Sequence, residues 1–385
     1  MSKPKNSNIR ATVGPLIVLA IFLGIFCSIG SVMGAANMLS TMMNTASDLL
    51  LNTVFYIMAI AVLAGAVSAL LSEFGVVDLI NRLVSPLMKP LFGLPGAASL
   101  GIITTYLSDN PAILTLANDG KFRGYFKKYQ LPALTNLGTA FGMGLIVTTF
   151  MIGLKAPGGE NLVVAALIGN LGAFIGSIVS TRLMLMHTKK LYGKDAPCDP
   201  LDGKVEVAVT ETEKKGVGMR VIDCLMSGGK TGVQLGLDII PGVLIICTMV
   251  MMLTNGAPAD GYTGGAYEGI AFLPWVGEKI SFILKPLFGF TSAECIAVPI
   301  TALGAAGAAI GLVPGMISSG AASAHDIAVF TSMCMCWSGY LSTHVAMMDS
   351  LKHSNLTGKA ILSHTIGGLC AGVAANWIYQ LIAMF

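Results

Sequence analysis

The pentapeptide Lys89-Pro90-Leu91-Phe92-Gly93 occurs a second time in the chain, as Lys285-Pro286-Leu287-Phe288-Gly289. When these copies are aligned, residues 85–107 and 281–303 share nine identities over 23 positions, where the composition alone would produce roughly two. In both copies a long apolar stretch lies upstream, and a stretch rich in Gly, Ala, Ser and Thr follows. The repeat predicts two homologous halves and a function that arises where they meet.

The composition is that of a membrane protein. Of the 385 residues, 54% are hydrophobic and 11% are charged. Several windows of about 20 residues carry no charge, and a helix of that length crosses a hydrocarbon core about 30 Å thick. Eight Cys residues are scattered through mostly apolar segments, which favours free thiols over a disulfide framework. No phosphate-binding loop of the Walker type is found, so nothing indicates transport driven by ATP.

The uncharged windows predict the membrane-spanning helices. The first window has features of a signal peptide, but its apolar part exceeds the usual core of about 7–15 residues, so a retained span is favoured. The predicted spans are residues 12–35, 49–72, 130–154, 161–187, 234–255, 326–349 and 359–384. Loops without Lys or Arg are predicted at residues 36–48 and 256–270.

Each half also contains a segment that is too short for two full crossings. Residues 94–118 are interrupted by Ser108-Asp109-Asn110-Pro111, and residues 291–320 are interrupted around Gly304-Ala305-Ala306-Gly307. Both segments are predicted to be re-entrant helical hairpins, which enter the bilayer and return to the same side. Interfacial helices are predicted just before them, at residues 74–92 and 274–289.

These elements predict an all-α integral membrane protein with about seven transmembrane helices, two re-entrant hairpins and two interfacial helices. Its predicted parts are an N-terminal tail with the first transmembrane helix (1–47), a first repeat (48–187), a cytoplasmic linker (188–233) and a second repeat (234–385). The linker alternates charges without an apolar pattern, which is typical of a solvated segment.

The distribution of positive charge predicts the orientation. With the N-terminus in the cytoplasm, twenty of the 23 Lys and Arg residues lie on the inner side, and only Lys155, Lys279 and Lys285 lie outside. Each repeat contributes three spans, so the second repeat is predicted to be inverted relative to the first. The first hairpin then enters from the cytoplasm and the second from outside, which is a common plan of secondary transporters. The C-terminus is predicted to lie outside.

The order of span, interfacial helix, hairpin, span and span, found twice, resembles the concentrative nucleoside transporters. The Lys-Pro-Leu-Phe-Gly segments, continuing into Leu94-Pro95-Gly96 and Phe290-Thr291-Ser292, look like the Gate (nucleoside-recognition) domain. That domain is shared with SpmA/SpmB-type sporulation proteins and the ferrous-iron transporter B protein. The resemblance covers roughly residues 48–384 and implies two Gate-like repeats and a nucleoside or nucleobase as substrate. The Gln-Thr-Glu hairpin signature of the nucleoside transporters is absent, and no GTPase domain precedes the repeats.

The tip of the first hairpin provides the strongest candidates for binding. Asp109 is an ionisable residue predicted inside the membrane, where such residues are costly and mark function, although it also suits a helix cap. Ser108 and Asn110 share the tip and can supply oxygens to Na⁺ or a hydrogen bond to substrate. Thr135 and Asn136 begin the next span, where Asn136 is equally suited to linking helices. We predict substrate contacts at all five residues and cation coupling at Asp109, Asn110 and Asn136.

The densest polar cluster inside any predicted span completes the predicted substrate contacts. It consists of Ser338, Tyr340, Ser342, Thr343 and His344, with a glycine among them that is a possible helix break. The alternative is that these side chains form hydrogen bonds between helices, as Ser and Thr often do in bilayers. His344 either carries a proton or packs as a neutral residue.

The second hairpin offers fewer side chains. Its segment Gly304–Gly311 predicts tight packing and backbone contacts, and Glu294 is predicted to lie at the hairpin base, in the interface and not in the site. Glycines spaced four residues apart predict close approach of helices, at Gly138, Gly142, Gly172 and Gly176.

A soft-metal site is the main chemical alternative. Met333-Cys334-Met335-Cys336 lies near His344 and Met348, but residues two apart point to different sides of a helix and cannot hold one ion together. A metal-ion or channel-like permease and a non-transporting membrane scaffold therefore remain alternative functions. No nucleophile–base pair or metal-ligand spacing indicates an enzyme, and no cofactor is predicted except Na⁺ as a coupling ion.

The sequence as a whole predicts a secondary active transporter in a bacterial inner membrane. A small polar solute would bind between the hairpin tips and the broken spans, and Na⁺ or H⁺ would drive its uptake by alternating access. The predicted partners are the lipid bilayer, the solute and a second copy of the chain, with no nucleic acid.

Overall fold

The computed structural model describes residues 6–110, 112–117, 120–156, 159, 161–198 and 216–384. The regular secondary structure of these residues is helical throughout, and long apolar helices dominate it. The chain is therefore an all-α, multi-pass membrane protein. Pro111 and residues 199–215 of the predicted linker lie outside the described residues.

Before residue 199 the described chain forms α1 (Asn6–Met33), α2 (Ala35–Asp48), α3 (Phe55–Glu73), α4 (Val76–Leu87), α5 (Ala98–Leu107), α6 (Ala112–Ala117), α7 (Gly120–Arg123), α8 (Ala133–Thr139), α9 (Gly144–Gly153) and α10 (Val163–Tyr192). After residue 215 it forms α11 (Val217–Pro241), α12 (Thr248–Thr254), α13 (Phe272–Lys279), α14 (Ser281–Phe288), α15 (Ala297–Gly304), α16 (Ala306–Ser318), α17 (Ala324–Trp337), α18 (Tyr340–Ser350) and α19 (Thr357–Ala383). Turns of π-helix join α2 to α3 and α11 to α12 without a bend into a loop.

Six helical segments of the described chain are long and apolar enough to cross a membrane. They are Val13–Met33, Ala35–Glu73, Ala133–Gly153, Val163–Tyr192, Val217–Thr254 and Ser354–Ala383. The bent pair Ser281–Phe288 and Ala293–Gly304 would make a seventh, with an angle of 78° between its two parts. The predicted span 326–349 is present as two shorter helices, α17 and α18, which are interrupted at Ser338 and Gly339.

Two predicted segments are more helical than expected. The loop predicted at 36–48 is wrong, because α2 occupies it and continues into α3. Its polar side chains did not signal a loop: they lie on one helical face that binds another part of the chain. Similarly, α10 extends to Tyr192 and α11 begins at Val217, so helix extends into both ends of the predicted 188–233 linker.

Both predicted hairpins are present as broken helical pairs. In the first, α5 and α6 are separated by Ser108–Asn110 and the residue that follows, and in the second, α15 and α16 are separated at Ala305. Helices precede them at the positions predicted for the interfacial helices, with α4 before the first hairpin and the pair α13 and α14 before the second. Leu79, Leu83 and Leu87 of α4 are exposed, which suits contact with lipid.

The backbone repeats in the same places as the sequence. Gly93 and Gly289 both adopt the left-handed conformation (φ 73°, ψ 21° and φ 65°, ψ 22°), and both donate their N–H to the carbonyl of the lysine that opens the pentapeptide. With the same spacing along the chain, Met143 and Gly339 both have positive φ, 55° and 67°, at the breaks between α8 and α9 and between α17 and α18. The two halves therefore share their bends as well as their helices.

The helices form two packed units. In the first, which we call the arm, Ala35–Glu73 packs along Val217–Thr254, and a Cβ at Gly228 or Gly232 would collide with the backbone of the facing helix. In the second, the bundle, α8, α9, α10, α17 and α19 pack together. A Cβ added at Gly176 would lie 2.5 Å from the Gly367 carbonyl oxygen, so the close approach predicted from the glycine spacing is confirmed there. Both hairpins pack on α8, α9 or α17 at the edge of the bundle.

Candidate functional site

The tips of both hairpins meet at the break between α17 and α18. Asn110, from the first tip, donates from Nδ2 to the carbonyl oxygen of Ser338 at 2.7 Å. The N–H of Gly339 donates to the carbonyl of Ala302 in the second hairpin at 3.0 Å, and a Cβ on Gly339 would lie 3.0 Å from the Gly304 carbonyl. This contact point, which we call the tip junction, brings one tip from each half onto the same two residues.

The tip junction depends on residues without bulk. A side chain at residue 142 would occupy the position of the Asn110 carboxamide. Only glycine at this position therefore lets the first tip approach the break between α8 and α9. At the other break Ser338 has φ 22° and Gly339 has φ 67°, conformations that interrupt the helix and free backbone groups for the tips. Broken helices of this kind are tolerated in a membrane only where they face protein or a wet cavity.

Two oxygens at the tip junction have no hydrogen-bond partner in the described structure. They are Oδ1 of Asn110 and Oγ of Ser338, both fully buried. The Ser338 oxygen lies 2.8 Å from the position that a Cβ at residue 142 would take, next to the Asn110 oxygen. Buried polar atoms are nearly always paired, so two unpaired oxygens beside one glycine indicate a place for a small ligand or ion.

The remaining tip residues face the arm. The Asp109 carboxylate accepts the N–H of Asn110 at 2.7 Å, and Asp238 of α11 is near enough to interact with it electrostatically. Ser108 lines a small cavity of about 150 Å³ between the first hairpin and the arm, together with the hydroxyl residues Ser68, Ser227 and Thr231. Asp238 was not singled out from the sequence, because it lies near the polar start of the predicted span.

Thr135 and Asn136 are used within the bundle. Asn136 donates from Nδ2 to Ser180 Oγ and to the Ala360 carbonyl, both at 3.0 Å, and Thr135 Oγ1 binds the carbonyl of its own helix. Ser180 is 2.8 Å from Nδ1 of His364, whose Nε2 faces the Cys336 carbonyl and must therefore carry the proton. Asn136 thus links α8 to α10 and α19, the second of the two roles predicted for it.

The predicted cluster 338–344 divides into three environments. Ser342 and Thr343 donate to the Gly339 carbonyl at 3.3 and 2.8 Å and so begin α18. Tyr340 shares a 2.7 Å hydrogen bond with Thr365 of α19. His344 is fully buried, with Nδ1 3.0 Å from the Tyr340 carbonyl and Nε2 without a partner in the described structure. Among the described residues of this cluster, Ser338 alone forms a hydrogen bond with a side chain of a hairpin tip: its carbonyl oxygen accepts from Asn110 Nδ2.

A large cavity of about 890 Å³ lies between the arm and the bundle, away from the tip junction. Its walls come from the start of α3, the ends of α9 and α12, the loop that follows α12, and helix α16 of the second hairpin. None of the predicted substrate contacts lines it. The residues of its wall with polar or aromatic side chains include Asp48, Asn52, Tyr56, Phe150, Lys155, Tyr267, Glu268 and Glu294.

Sequence reasoning missed most of this wall. Glu294, predicted at the interfacial base of the second hairpin, lies in a helical turn before α15 and lines the cavity. Asp48 fell at the boundary between a predicted loop and a predicted span. The available signal was the carboxylate of Asp48 beside a long apolar run, since an ionisable residue within a membrane helix indicates function. Because residues 36–48 were predicted to be a loop, Asp48 was not placed within a membrane helix.

A polar face of α2 holds the loop 256–270 against the mouth of this cavity. The contacts are Asn37 Nδ2 to the Tyr262 carbonyl (3.0 Å), Thr41 Oγ1 to Glu268 (3.5 Å), Asn44 Nδ2 to the Gly264 carbonyl (2.8 Å), Tyr267 N–H to Thr45 Oγ1 (2.9 Å) and the Tyr267 hydroxyl to Asp48. The loop is therefore fixed by residues of the other half of the chain.

Glu268 organises the loop from within. Its carboxylate accepts hydrogen bonds from the hydroxyl and N–H of Thr263 and from the N–H groups of Gly264 and Gly265, at 2.6 to 3.0 Å. Burial alone would raise the pKa of Glu268, but these hydrogen bonds outweigh it and hold the pKa below its usual range. The loop thus carries a fixed negative charge at neutral pH.

Within the described residues no three His, Cys, Asp or Glu side chains come together as they would around a metal ion. Cys334 and Cys336 are free thiols, fully buried in the core with Met333 and Met335. The four residues therefore occupy packing positions of α17.

No protein-family model and no curated protein matches the chain. Solved structures do match it, and they are structures of CNTnw, a concentrative nucleoside transporter. Its inward-facing substrate-bound state aligns with a TM-score of 0.55 at 15% identity, covering 98% of this chain and 87% of that one. A variant in the intermediate 2 state gives 0.53 at 14% identity, and another in an outward-facing state gives 0.52 at 15%, both with 98% and 87% coverage. At this identity the likeness concerns the fold alone: the chain has a concentrative nucleoside transporter-like fold.

Proposed function

We propose that the protein is a secondary active transporter of a small polar solute, with a nucleoside or nucleobase as the leading class and with Na⁺ or H⁺ as the coupling ion. The observation that carries the proposal is the tip junction, where one broken hairpin from each half meets the interrupted helix at Ser338 and Gly339. A site between paired broken helices is the general plan of secondary transporters. The kinship with Gate-domain proteins is part of this proposal.

The interface between arm and bundle supports alternating access. It holds a cavity of about 890 Å³ at one end and a cavity of about 150 Å³ beside Ser108. Movement of the bundle along the arm would close the first and enlarge the second, which is the motion expected of such a transporter. The mouth of the large cavity includes Lys155 and residues 256–258, which the positive-inside pattern assigns to the outside. The CNTnw structures, in outward-facing, intermediate and inward-facing states, support such motion in this fold.

The coupling ion is proposed to interact at the first tip. The unpartnered oxygens of Asn110 and Ser338 suit a small cation, and Asp109 beside them supplies a charge or a proton-binding group. Asn136 would act by positioning α8, because both of its amide hydrogens are bound within the bundle. Ser108, Tyr340 and His344 would meet the solute when the bundle moves.

The proposal includes a bacterial inner membrane as the location, with a cytoplasmic N-terminus, an external C-terminus, an inverted repeat and assembly with further copies of the chain. Labelling of single engineered cysteines near residues 120 and 322 from each side of the membrane tests the inversion. We expect the first to react only from the cytoplasm and the second only from outside.

Uptake into proteoliposomes tests the transport itself. The purified protein would be reconstituted and supplied with radiolabelled uridine, adenosine or adenine under an inward Na⁺ gradient, an inward H⁺ gradient or no gradient. Accumulation of at least one solute, increased by one of the two gradients, is the expected result. If no solute accumulates above empty liposomes under any gradient, the proposal is wrong for this substrate class.

A further inference from the structure

The large cavity has the dimensions and surface of a small-molecule site. Its volume of about 890 Å³ lies within the range of about 300–1,000 Å³ that is usual for such sites. Tyr56 and Phe150 form part of its wall, with their ring centroids 5.8 Å apart and their planes at 64°. Two rings in edge-to-face contact present a rigid aromatic surface to whatever occupies the cavity.

The charges on the wall are predominantly negative. The carboxylates are those of Asp48, Glu268 and Glu294, and the only basic residue on the wall, among the described residues, is Lys155. Lys155 is exposed, so its charge is screened more than that of the buried Glu268. A cleft lined by one sign of charge concentrates ligands of the opposite sign.

The three carboxylates are not equally available to a ligand. Glu268 is saturated by hydrogen bonds from its own loop and contributes only its field. Asp48 accepts hydrogen bonds from Asn52 and from the Tyr267 hydroxyl, both neutral, and no cation of the described residues pairs with it. Glu294 is half-buried and, within the described chain, makes no ion pair or side-chain hydrogen bond. Glu294 is therefore the group most free to pair with an ammonium or amidinium group.

We propose that this cavity binds a small organic cation, with its positive group near Glu294 and Asp48 and its flat body against Tyr56 and Phe150. The inference rests on the proposed function, since the cavity would be the entrance of the same transport path. Within the small polar solutes of the proposed function, it favours ring-bearing solutes with a positive charge over neutral nucleosides and nucleobases. Aromatic rings beside carboxylates are the usual means of recognising ammonium groups.

Three probes of nearly equal shape test the charge preference directly. Tyramine carries an ammonium group, tyrosol a hydroxyl in its place, and 4-hydroxyphenylacetate a carboxylate. Titration calorimetry on the full chain in lipid nanodiscs would measure their dissociation constants. We expect tyramine to bind about tenfold more tightly than tyrosol, and 4-hydroxyphenylacetate to bind least, since a partly buried charge pair and a cation–π contact together give about that factor.

Two substitutions test which residues of the cavity wall produce the preference for a cation. Glu294→Gln should reduce tyramine binding about threefold to tenfold and leave tyrosol binding unchanged, which also shows that the variant is folded. Lys155→Gln is the matched control of opposite sign and should increase tyramine binding by about two- to threefold. Equal binding of the three probes, tightest binding of the anion, or no measurable binding of any probe would overturn the inference.

The outcome is separable from that of the proposed function. If the probes bind in the expected order but no solute is transported, the proposed function fails and the cation site stands. If neutral nucleosides are transported and tyramine shows no advantage over tyrosol, the transporter stands and the cation site fails.

Discussion

The two halves of the molecule share a backbone and differ in the side chains placed on it. Gly93 and Gly289 turn the chain in the same way, and Met143 and Gly339 break equivalent helices. At the hairpin tips, however, the first half presents Ser108–Asn110, whereas the second presents Gly304–Ala306, which has no polar side chain. The comparison teaches that a duplicated fold can retain its bends while one copy specialises in side-chain contacts and the other in backbone contacts.

The same division appears where each hairpin is anchored. Gln130 and Asp326 occupy equivalent positions in the repeat: Gln130 lies just before α8, and Asp326 lies in the first turn of α17. Gln130 accepts the Lys127 N–H at 3.0 Å and donates to the Gly93 carbonyl at 3.2 Å. Asp326 accepts the N–H groups of Thr291 and Ser323, at 3.0 and 2.8 Å, and is fully buried. Gln130 is neutral and Asp326 carries a charge, although both bind the chain at the end of the pentapeptide or just after it.

The largest expected effect is the difference in stability loss between alanine variants of these two anchors. Asp326→Ala should lower the free energy of unfolding by about 3 kcal/mol, because several hydrogen bonds to a charged, buried group are lost together and partly buried N–H groups are left without partners. Gln130→Ala should cost about 1 kcal/mol, since its bonds are neutral. Denaturant unfolding in detergent would measure both. Asp326→Asn, which keeps an acceptor, should fall between them, and equal losses for the two alanine variants would show that the charge is unimportant.

The next largest expected effect is the difference in stability loss between alanine variants of two equivalent glycines, Gly176 in α10 and Gly372 in α19. A methyl group at Gly176 would lie 2.5 Å from the Gly367 carbonyl oxygen, whereas one at Gly372 would first meet the Met333 sulfur at 2.7 Å. Backbone cannot move aside as a methionine side chain can, so Gly176→Ala should cost about 2 kcal/mol and Gly372→Ala about 1 kcal/mol. Thermal unfolding of the two variants decides between them. A larger loss for Gly372→Ala would mean that the α10–α19 contact is looser than it is here.

The third prediction compares two residues of one tip. Asn110→Ala removes the hydrogen bond to the Ser338 carbonyl and the unpartnered oxygen, so solute uptake should fall about tenfold or more. Ser108→Ala should have a smaller effect, because the Ser108 hydroxyl donates to the Thr104 carbonyl of its own helix at 2.6 Å. Initial rates in proteoliposomes, corrected for protein content, would measure both. Equal rates for wild type and Asn110→Ala would remove the first tip from the proposed site.

The smallest expected effect concerns Glu268, in the loop 256–270 that is held against α2 at the cavity. The pKa of Glu268 lies below its ordinary value of 4.5 in the folded protein, so its carboxylate stabilises the fold above that pH. The contribution is lost as the pH falls through the folded pKa. The stability difference between wild type and Glu268→Gln should therefore be constant near neutral pH and shrink as the pH falls below 4.5 and through the lowered folded pKa. A difference that grows on acidification would contradict the hydrogen-bonded carboxylate.

Much of the fold could be predicted because hydrophobic length and turn residues are local signals. The uncharged windows identified most spans, and Ser108-Asp109-Asn110-Pro111 identified the first hairpin tip. The break at Gly339 was foreseen as a possibility, since glycine inside a polar stretch is an ordinary helix interruption. Local signals failed at 36–48, where the polar residues form the bound face of α2 and their partners lie in the other half.

The site was predicted only in part, because its contacts are long-range. Sequence reasoning selected both Asn110 and Ser338, but it had no means of pairing them. It gave Asn136 two roles, and the choice depends on Ser180 and Ala360, which are remote in the chain. Most of the cavity wall was missed, since Asp48, Tyr267 and Glu294 come together only when arm and bundle are assembled.

The polar face of α2 has a consequence for biosynthesis. Asn37, Asn44 and Thr45 find their partners in residues 262–267, which are made only after most of the chain has left the ribosome. Until then these side chains enter or approach the bilayer with their hydrogen-bonding groups unsatisfied, which disfavours stable insertion. We expect the N-terminal region to depend on the membrane insertion machinery, or on water at the bilayer surface, for longer than its hydrophobicity alone would require.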